Sequence, residues 1–387
     1  MPKNVLLCSI DAPFIGGAGT NAYNLIKLLR SHLKYNVVGL FIYTNTLLLK
    51  DPHNIGDIIK FNPNRDDIEK IRTDIVKALG TEPDVMIVKN YIPVFIVKKM
   101  FPRVKLVFLP SGSSLYGHYC TINKQITVTE LIDKFLSDEV QISDIISHNG
   151  RWPCYPQGCQ TGCDCEMRAL SLADKIIPNS YITELLYRAM YDNNKLKGLN
   201  LGTKITQHIY TSALYDTNYI SKNIKLIEFN KRGYDVTFAC FNWKRKLKNI
   251  SLVEQIINHD SMKNLHIMVI GELSNLLKPR FLNTTIVGCI DNKKFLECLA
   301  NSKVVLCPSY YDSFPNVVTE ANLCGCNVVI SRNIGQSIIV QEHSLVDNFY
   351  DVTEWITKIL NASKKKYNTY NIDQMSILKE FDEVLRL

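Results

Sequence analysis

Short apolar runs separated by helical patterns recur along this chain, and the alternation is made twice over. Runs of this kind, apolar on both faces, are the sequence form of parallel strands covered by helices. The first half offers Asn4–Ser9, Val37–Tyr43, Asp57–Phe61, Val85–Lys89 and Lys105–Leu109 as strands, then Leu172–Ile177 after a long insertion. The second offers Asp235–Cys240, Leu265–Ile270, Thr284–Val287, Lys303–Cys307 and Asn327–Ser331. The expected architecture is α/β, with two doubly wound Rossmann-like domains. Residues 1–205 form the first, carrying a Cys-rich insertion at 113–166, and residues 235–365 the second, with a weakly periodic linker at 206–234. Met375, Leu378, Phe381 and Leu385 stand at helical spacing in the last segment, 366–387.

The segment 306–331, LCPSYYDSFPNVVTEANLCGCNVVIS, sets two carboxylates, Asp312 and Glu320, around a strand-loop-helix junction. Val304-Val305-Leu306 reads as a buried strand ending at Cys307-Pro308-Ser309, and Thr319 to Cys324 as a helix stopped by Gly325. In an open α/β sheet, ligands bind beyond the carboxyl ends of strands, and a helix N-terminus offers amides and partial positive charge to phosphate oxygens. The turn Ser313-Phe314-Pro315-Asn316 stands where it would do that. An ionised Glu accepts two hydrogen bonds, which suits the neighbouring hydroxyls of a ribose. Judged alone, the pair is more often a solvated loop acid beside a helix-capping acid.

Size and charge narrow the classes. The 387 residues are long enough for two cores, and 46% of them are apolar. The net charge of +8 favours anionic ligands or an anionic membrane surface, and no RNP-like aromatic motif or basic helix accompanies it, so nucleic acid is not expected. No run reaches the roughly 18 apolar residues of a membrane span, so membrane contact is expected to be peripheral at most. The start, MPKNVLLCSIDAPF, moves straight into a strand, which suits a cytoplasmic protein.

Gly16-Gly17-Ala18-Gly19 follows the first strand and opens a helix over Asn21–Leu33, so backbone there can pass close to a ligand. Gly17 to Ala22 also satisfies the G-x-G-x-x-A dinucleotide fingerprint. That reading requires an acid at the end of the second strand, and Leu40-Phe41-Ile42-Tyr43-Thr44-Asn45 supplies none. A tight turn with no ligand remains the plain alternative.

Pro308-Ser309 before Asp312, EAN-x-CG-x-NVV from Glu320, and ALSLADKIIPNS at 169–180 together resemble the signature passages of retaining GT-B glycosyltransferases, family four in particular. The resemblance implies two domains facing a cleft, a terminal helix crossing back to the first, and transfer from a UDP- or GDP-sugar to a hydroxyl of a glycan, lipid-linked sugar or small molecule. By the same resemblance Glu320 holds the donor ribose, and Asp312, where the family usually has Glu, contacts the transferred sugar. Ser313, Phe314 and Asn316 belong to the donor turn, and Gly16 and Gly17 approach the donor diphosphate. The basic segment Trp243-Lys244-Arg245-Lys246-Leu247-Lys248-Asn249 corresponds to the family's phosphate-binding cations, with Lys248 the best match and Trp243 at the usual Arg position. Fixed cations there would stabilise a departing diphosphate. Asp312, Glu320 and Lys248 are therefore the expected catalytic set, with Arg245 supporting Lys248. The departures at Asp312 and Trp243 keep a second reading open, a degenerate GT-B module that binds nucleotide sugar or glycan without turnover.

On the acceptor side the family's usual His is absent, and Ser111 stands near its place, with His118 close in sequence. No DxD motif occupies a strand-end loop, so no cofactor is expected for catalysis. Cys154, Cys159, Cys163 and Cys165 crowd one segment; C-x4-C-x3-C-x-C is not a standard zinc spacing, and a structural zinc, reduced thiols packing a loop, and disulfides in an oxidising compartment are the readings it leaves.

Overall fold

A computed structural model describes residues 3–10, 17–42, 58–63, 65–112, 116, 126–140, 162–191, 201–272, 274–367 and 370–386. The elements are, in chain order, β1 (Asn4–Ile10), α1 (Gly17–Ser31), β2 (Asn36–Ile42), β3 (Ile58–Phe61), α2 (Ile68–Leu79), β4 (Val85–Lys89), α3 (Ile92–Met100), β5 (Lys105–Leu109), α4 (Val128–Leu136), α5 (Gly162–Leu172), β6 (Lys175–Ile176) and α6 (Tyr181–Tyr191). They continue with α7 (Thr217–Asn223), β7 (Tyr234–Asn242), α8 (Ile250–Ile257), β8 (Ile267–Glu272), β9 (Thr284–Val287), α9 (Asn292–Ala300), β10 (Ser302–Cys307), α10 (Asn316–Leu323), β11 (Asn327–Ser331), β12 (Leu345–Val346), α11 (Val352–Lys364) and α12 (Gln374–Arg386).

Among the described residues the strands form two six-stranded sheets, ordered β3-β2-β1-β4-β5-β6 and β12-β11-β10-β7-β8-β9. Every pairing is parallel. Counted from its own first strand, the second sheet has the same order as the first, the doubly wound order with its reversal between the two central strands. The expected α/β fold of two Rossmann-like domains is therefore what the chain adopts.

Two compact units divide the chain: Met1–Ile122, Glu130–Tyr215 and Asp373–Leu387 in one, Asn123–Thr129 and Asp216–Ile372 in the other. In the first unit α2 shows how local sequence fixes an element. Asp67 caps it by accepting from the Glu69 amide at 3.0 Å, Ile71, Ile75 and Leu79 bury one stripe, and Gly80 ends it in the left-handed region at φ 80°. The last helix, α12, joins this unit by burying Ile377, Leu378, Phe381 and Leu385. Tyr35 donates its hydroxyl to Asp382, and Lys3 donates to the Leu385 carbonyl. Burial, then the hydrogen bond to Asp382, pushes the Tyr35 phenol up to about 12.

Strand bounds at β4, β5, β9 and β11 coincide with the sequence reading. Three expectations change. The strand expected over Leu172–Ile177 shrinks to Lys175–Ile176, because the helical pattern of α5 runs through Leu172. Helix α1 begins at Gly17 rather than Asn21, so Gly17 and Gly19 are helical, and α10 begins at Asn316 rather than Thr319. The two-residue strand β12 was not anticipated, being too short to carry a period. No described helix is long and apolar enough to cross a membrane.

Lys89, the last residue of β4, is 1% exposed, and burial alone pulls its ammonium down to about 7 from an ordinary 10.5. Between those values the unfolded chain binds a proton that the folded chain does not, so Lys89 makes stability rise with pH from about 7 upward. Buried Cys8, Cys324 and Cys326, whose thiols are pushed up by burial, act in the opposite sense once pH passes their ordinary value of 9.0. The clean window is therefore about pH 7 to 9. Lys89→Met is expected to be more stable than the parent at pH 7 and to lose up to about 1.4 kcal/mol per pH unit of slope in urea unfolding across that window. Identical slopes in parent and variant would contradict the buried charge.

Candidate functional site

The chain leaves β7 toward β8 and leaves β10 toward β11, on opposite sides, so the loops after these adjacent strands diverge. This is the switch point at which doubly wound sheets bind ligands. Here the two loops are tied together. The Tyr310 amide donates to the Leu247 carbonyl at 2.9 Å, and the Lys248 ammonium pairs with Asp312 Oδ2.

The loop after β7 is held by a backbone irregularity. The β7–β8 register shifts between Ala239 and Asn242, and Trp243 folds back into the core, 2% exposed, donating Nε1–H to the Ile270 carbonyl at 3.0 Å. Gly271 makes room for this. Its φ is +133°, and a Cβ there would stand 1.7 Å from the Cys240 carbonyl oxygen. Asn242 braces the turn, donating to Glu272 at 2.6 Å and accepting from the Lys244 amide at 2.8 Å. Asn249, left-handed at φ 53°, caps α8 by accepting from the Leu252 amide at 3.4 Å. Lys248 thus leaves a turn that is fixed on both sides.

The loop after β10 is fixed from the β11 side. Asp312 forms a parallel bridge with Ile334, and its carbonyl accepts from the Gly335 amide at 2.9 Å. Gln336, fully buried, donates Nε2–H to the Pro315 carbonyl at 3.0 Å. Ser313 and Phe314 are buried and shape the turn, while Asn316 is half-buried at the first position of α10. Pro315, the N-cap, has no side-chain acceptor for the helix amides. Glu320, 5% exposed, lies in the second turn. At the other end Arg232 donates to the carbonyls of Cys324 at 3.0 Å, Ser302 at 2.7 Å and Ile227 at 3.0 Å, a cation where the helix dipole is negative.

The Lys248 and Asp312 side chains are 17% and 19% exposed. Burial is the largest effect on Lys248 and opposes its charge, but the attractions of Asp312, Cys240 and Cys307 together outweigh it and the ammonium pKa is raised, so Lys248 stays charged at any physiological pH. Exposed Arg245 is near enough to work against the Lys248 charge, and it adds a second cation to the same loop. In the second unit Lys248 and Asp312 therefore meet, with Arg245 on the Lys248 loop and Ser313, Phe314, Asn316 and Glu320 following Asp312 along the turn and α10. Gly17, exposed at the start of α1, and Ser111, just past β5, belong to the first unit. Gly16, His118, Cys154 and Cys159 lie outside the described residues, as does the side chain of Cys163; Cys165 is buried. Among the described residues no group of three or more His, Cys, Asp or Glu could hold a metal. Sequence reasoning missed Gln336, Arg232 and Gly271. Gly271, directly after an apolar run, carried a readable signal; the other two act through distant backbone and carried none.

Residues 236–373 match the family model "Glycosyl transferases group 1". The match falls almost wholly within the second unit. No curated protein matches the chain by sequence. Solved structures match over nearly all of it. An alpha-glucosyltransferase in complex with UDP and a mismatched 13-mer DNA is 11% identical, covers 99% of this chain and 100% of its own, and has a TM-score of 0.60. The catalytic domain of starch synthase IV from Arabidopsis thaliana, bound to ADP and acarbose, is 12% identical over 99% and 98%, with a TM-score of 0.57. Anabaena Alr3699/HepE in complex with UDP-glucose is 14% identical over 98% and 99%, with a TM-score of 0.56. At these identities the likeness concerns the fold, which is GT-B.

Since the Cys240 carbonyl fills the space a Cβ would need, Gly271→Ala must displace the β7–β8 bulge that seats Trp243. The expected loss is about 2–4 kcal/mol in urea unfolding, larger than the roughly 1 kcal/mol of a typical point substitution. A variant as stable as the parent would show that the bulge is not held there.

Proposed function

We propose that the protein is a retaining, metal-independent glycosyltransferase that moves a sugar from a UDP- or GDP-sugar to a hydroxyl of a glycan, a lipid-linked sugar or a small molecule. The observation that carries this reading is the Lys248–Asp312 pair joining the two loops at the switch point, beside the start of α10 and on the chain that bears Glu320. Glu320 accepts hydrogen bonds from the donor ribose. The first-turn amides of α10, with Lys248 and Arg245, hold the diphosphate. The nucleotides in the matching structures, UDP and ADP, support a nucleoside diphosphate as the recognised portion.

In the transfer step the bond from the anomeric carbon to the diphosphate oxygen breaks. The acceptor oxygen bonds to the same face of that carbon, and the acceptor proton passes to the departing phosphate oxygen. Negative charge grows on the diphosphate as the bond breaks, and Lys248, already charged, meets it. Asp312 loses its cation partner to the phosphate and turns its acceptor oxygens to the sugar hydroxyls. The protein's own cations neutralise the leaving group, so EDTA leaves the rate unchanged.

Calorimetric titration with UDP, GDP and ADP names the base, and coupled release of that diphosphate from its sugar conjugates measures turnover. Glu320→Ala is expected to weaken nucleotide binding at least about tenfold, near 1.4 kcal/mol. Lys248→Met is expected to lower kcat by on the order of 100-fold. Wild-type kcat and affinity in both variants would sink the assignment, and tight nucleotide binding with no turnover on any acceptor would leave a binding module instead.

A further inference from the structure

The first sheet has its own switch point, between β1 and β4, and Lys89 ends β4 there. Three observations converge on it. Lys89 is 1% exposed, yet it forms no hydrogen bond or ion pair with a described residue. Buried polar atoms without partners lie on the segments around it: Asn21 Oδ1 and Asn24 Nδ2 near the start of α1, and Ser111 Oγ two residues past β5. Asn90, the next residue, has φ 68°, an uncommon conformation for a residue with a Cβ.

The register shows that these groups share one face. A Cβ on Gly39 would meet Ile26 of α1, so the Gly39 face of the sheet is the one α1 covers. Gly39 pairs with Leu7, and Leu7 with Ile87. Side chains alternate along a strand, so Ser9 and Lys89, two residues further on, lie on the α1 side too, and Leu109 opposite Lys89 does likewise. Because α1 follows β1, its first turns, with Asn21 and Asn24, stand at the same carboxyl edge. A buried ammonium is tolerated only where a counter-charge and hydrogen-bond acceptors complete it.

We propose that Lys89, Asn24 and Ser111 form an anion-recognition site at this edge, which binds a phosphate or carboxylate group on the acceptor, while Asn21 accepts from one of its hydroxyls. The proposal rests on the transferase reading and gives it a class of acceptor: a sugar or polyol bearing a negative charge. Lys89 contributes the charge and up to three donors, Asn24 its amide N–H, and Ser111 its hydroxyl, a set of donors that matches oxyanion acceptors. Asn21 Oδ1 is an acceptor and repels the anion itself, which orients the ligand.

The test uses the whole protein and four probes, glucose 6-phosphate, glucuronate, inorganic phosphate and methyl glucoside, each titrated by thermal shift and calorimetry. Either glucose 6-phosphate or glucuronate should raise the Tm, and whichever does so identifies the anion; methyl glucoside should not. Lys89→Met should weaken that probe at least tenfold, Asn24→Ala more mildly, and both should bind UDP or its identified replacement as the parent does. Lys89→Met removes a buried charge and is expected to fold, so loss of binding reports the site. Any of these results overturns the proposal: equal protection by methyl glucoside, tighter binding of inorganic phosphate than of the sugar anions, unchanged anion affinity in Lys89→Met, or no anion binding in the parent. Nucleotide binding in the parent is read separately, so failure here leaves the donor assignment standing, and a nucleotide affinity that falls with Lys89→Met would give Lys89 to the donor instead.

Discussion

The ion pair of Lys248 with Asp312 joins two loops that leave neighbouring strands in opposite directions. A partly buried pair gains little by itself, since desolvation offsets much of the attraction. Its geometry is imposed from outside. Trp243 under the Gly271 bulge and Asn249 in the left-handed region hold the Lys248 turn, while Ile334, Gly335 and Gln336 hold Asp312 and Pro315. The pair keeps the Lys248 ammonium charged and holds both side chains at the switch point before any ligand arrives. That is preorganisation, the condition under which a fixed cation favours a developing negative charge.

Much of this was readable in the residues, and the reasons are physical. Strands β4, β5, β9 and β11 are contiguous apolar runs bounded by polar or turn residues, so their limits coincide with the composition. Asp312, Glu320 and Lys248 could be found because the motif words around them are local. What escaped depends on contacts distant in sequence. Arg232 reaches carbonyls of Ser302 and Cys324, 70 and 92 residues away, and Gln336 reaches Pro315 across 21. Lys89 closed an apolar run, where a lysine ordinarily marks the solvated end of a strand; only the fold reveals that α1 and the strands around it enclose the ammonium.

The two sheets repeat one topology and spend their switch points differently. In the second, a cation is matched by a carboxylate across the crevice. In the first, the corresponding position holds a buried lysine without an ion-pair partner among the described residues, and amide and hydroxyl atoms without partners lie on neighbouring segments. A ligand carrying fixed negative charge would be recognised in the first by completing the site and in the second by displacing one member of it.

Helix α12 follows the whole second unit in the chain, yet its apolar stripe, Asp382 and the Leu385 carbonyl complete the first. During synthesis the strands of the first unit emerge early, but the surface that Tyr35 and Lys3 help form waits uncovered until the last helix is made. The second unit is therefore a folded detour within the first. On a ribosome adding about 5–20 residues per second, the detour of 157 residues from Asp216 to Ile372 delays that covering by roughly ten to thirty seconds. The helix that is translated last thus sets how long the domain that is translated first must persist with an open flank.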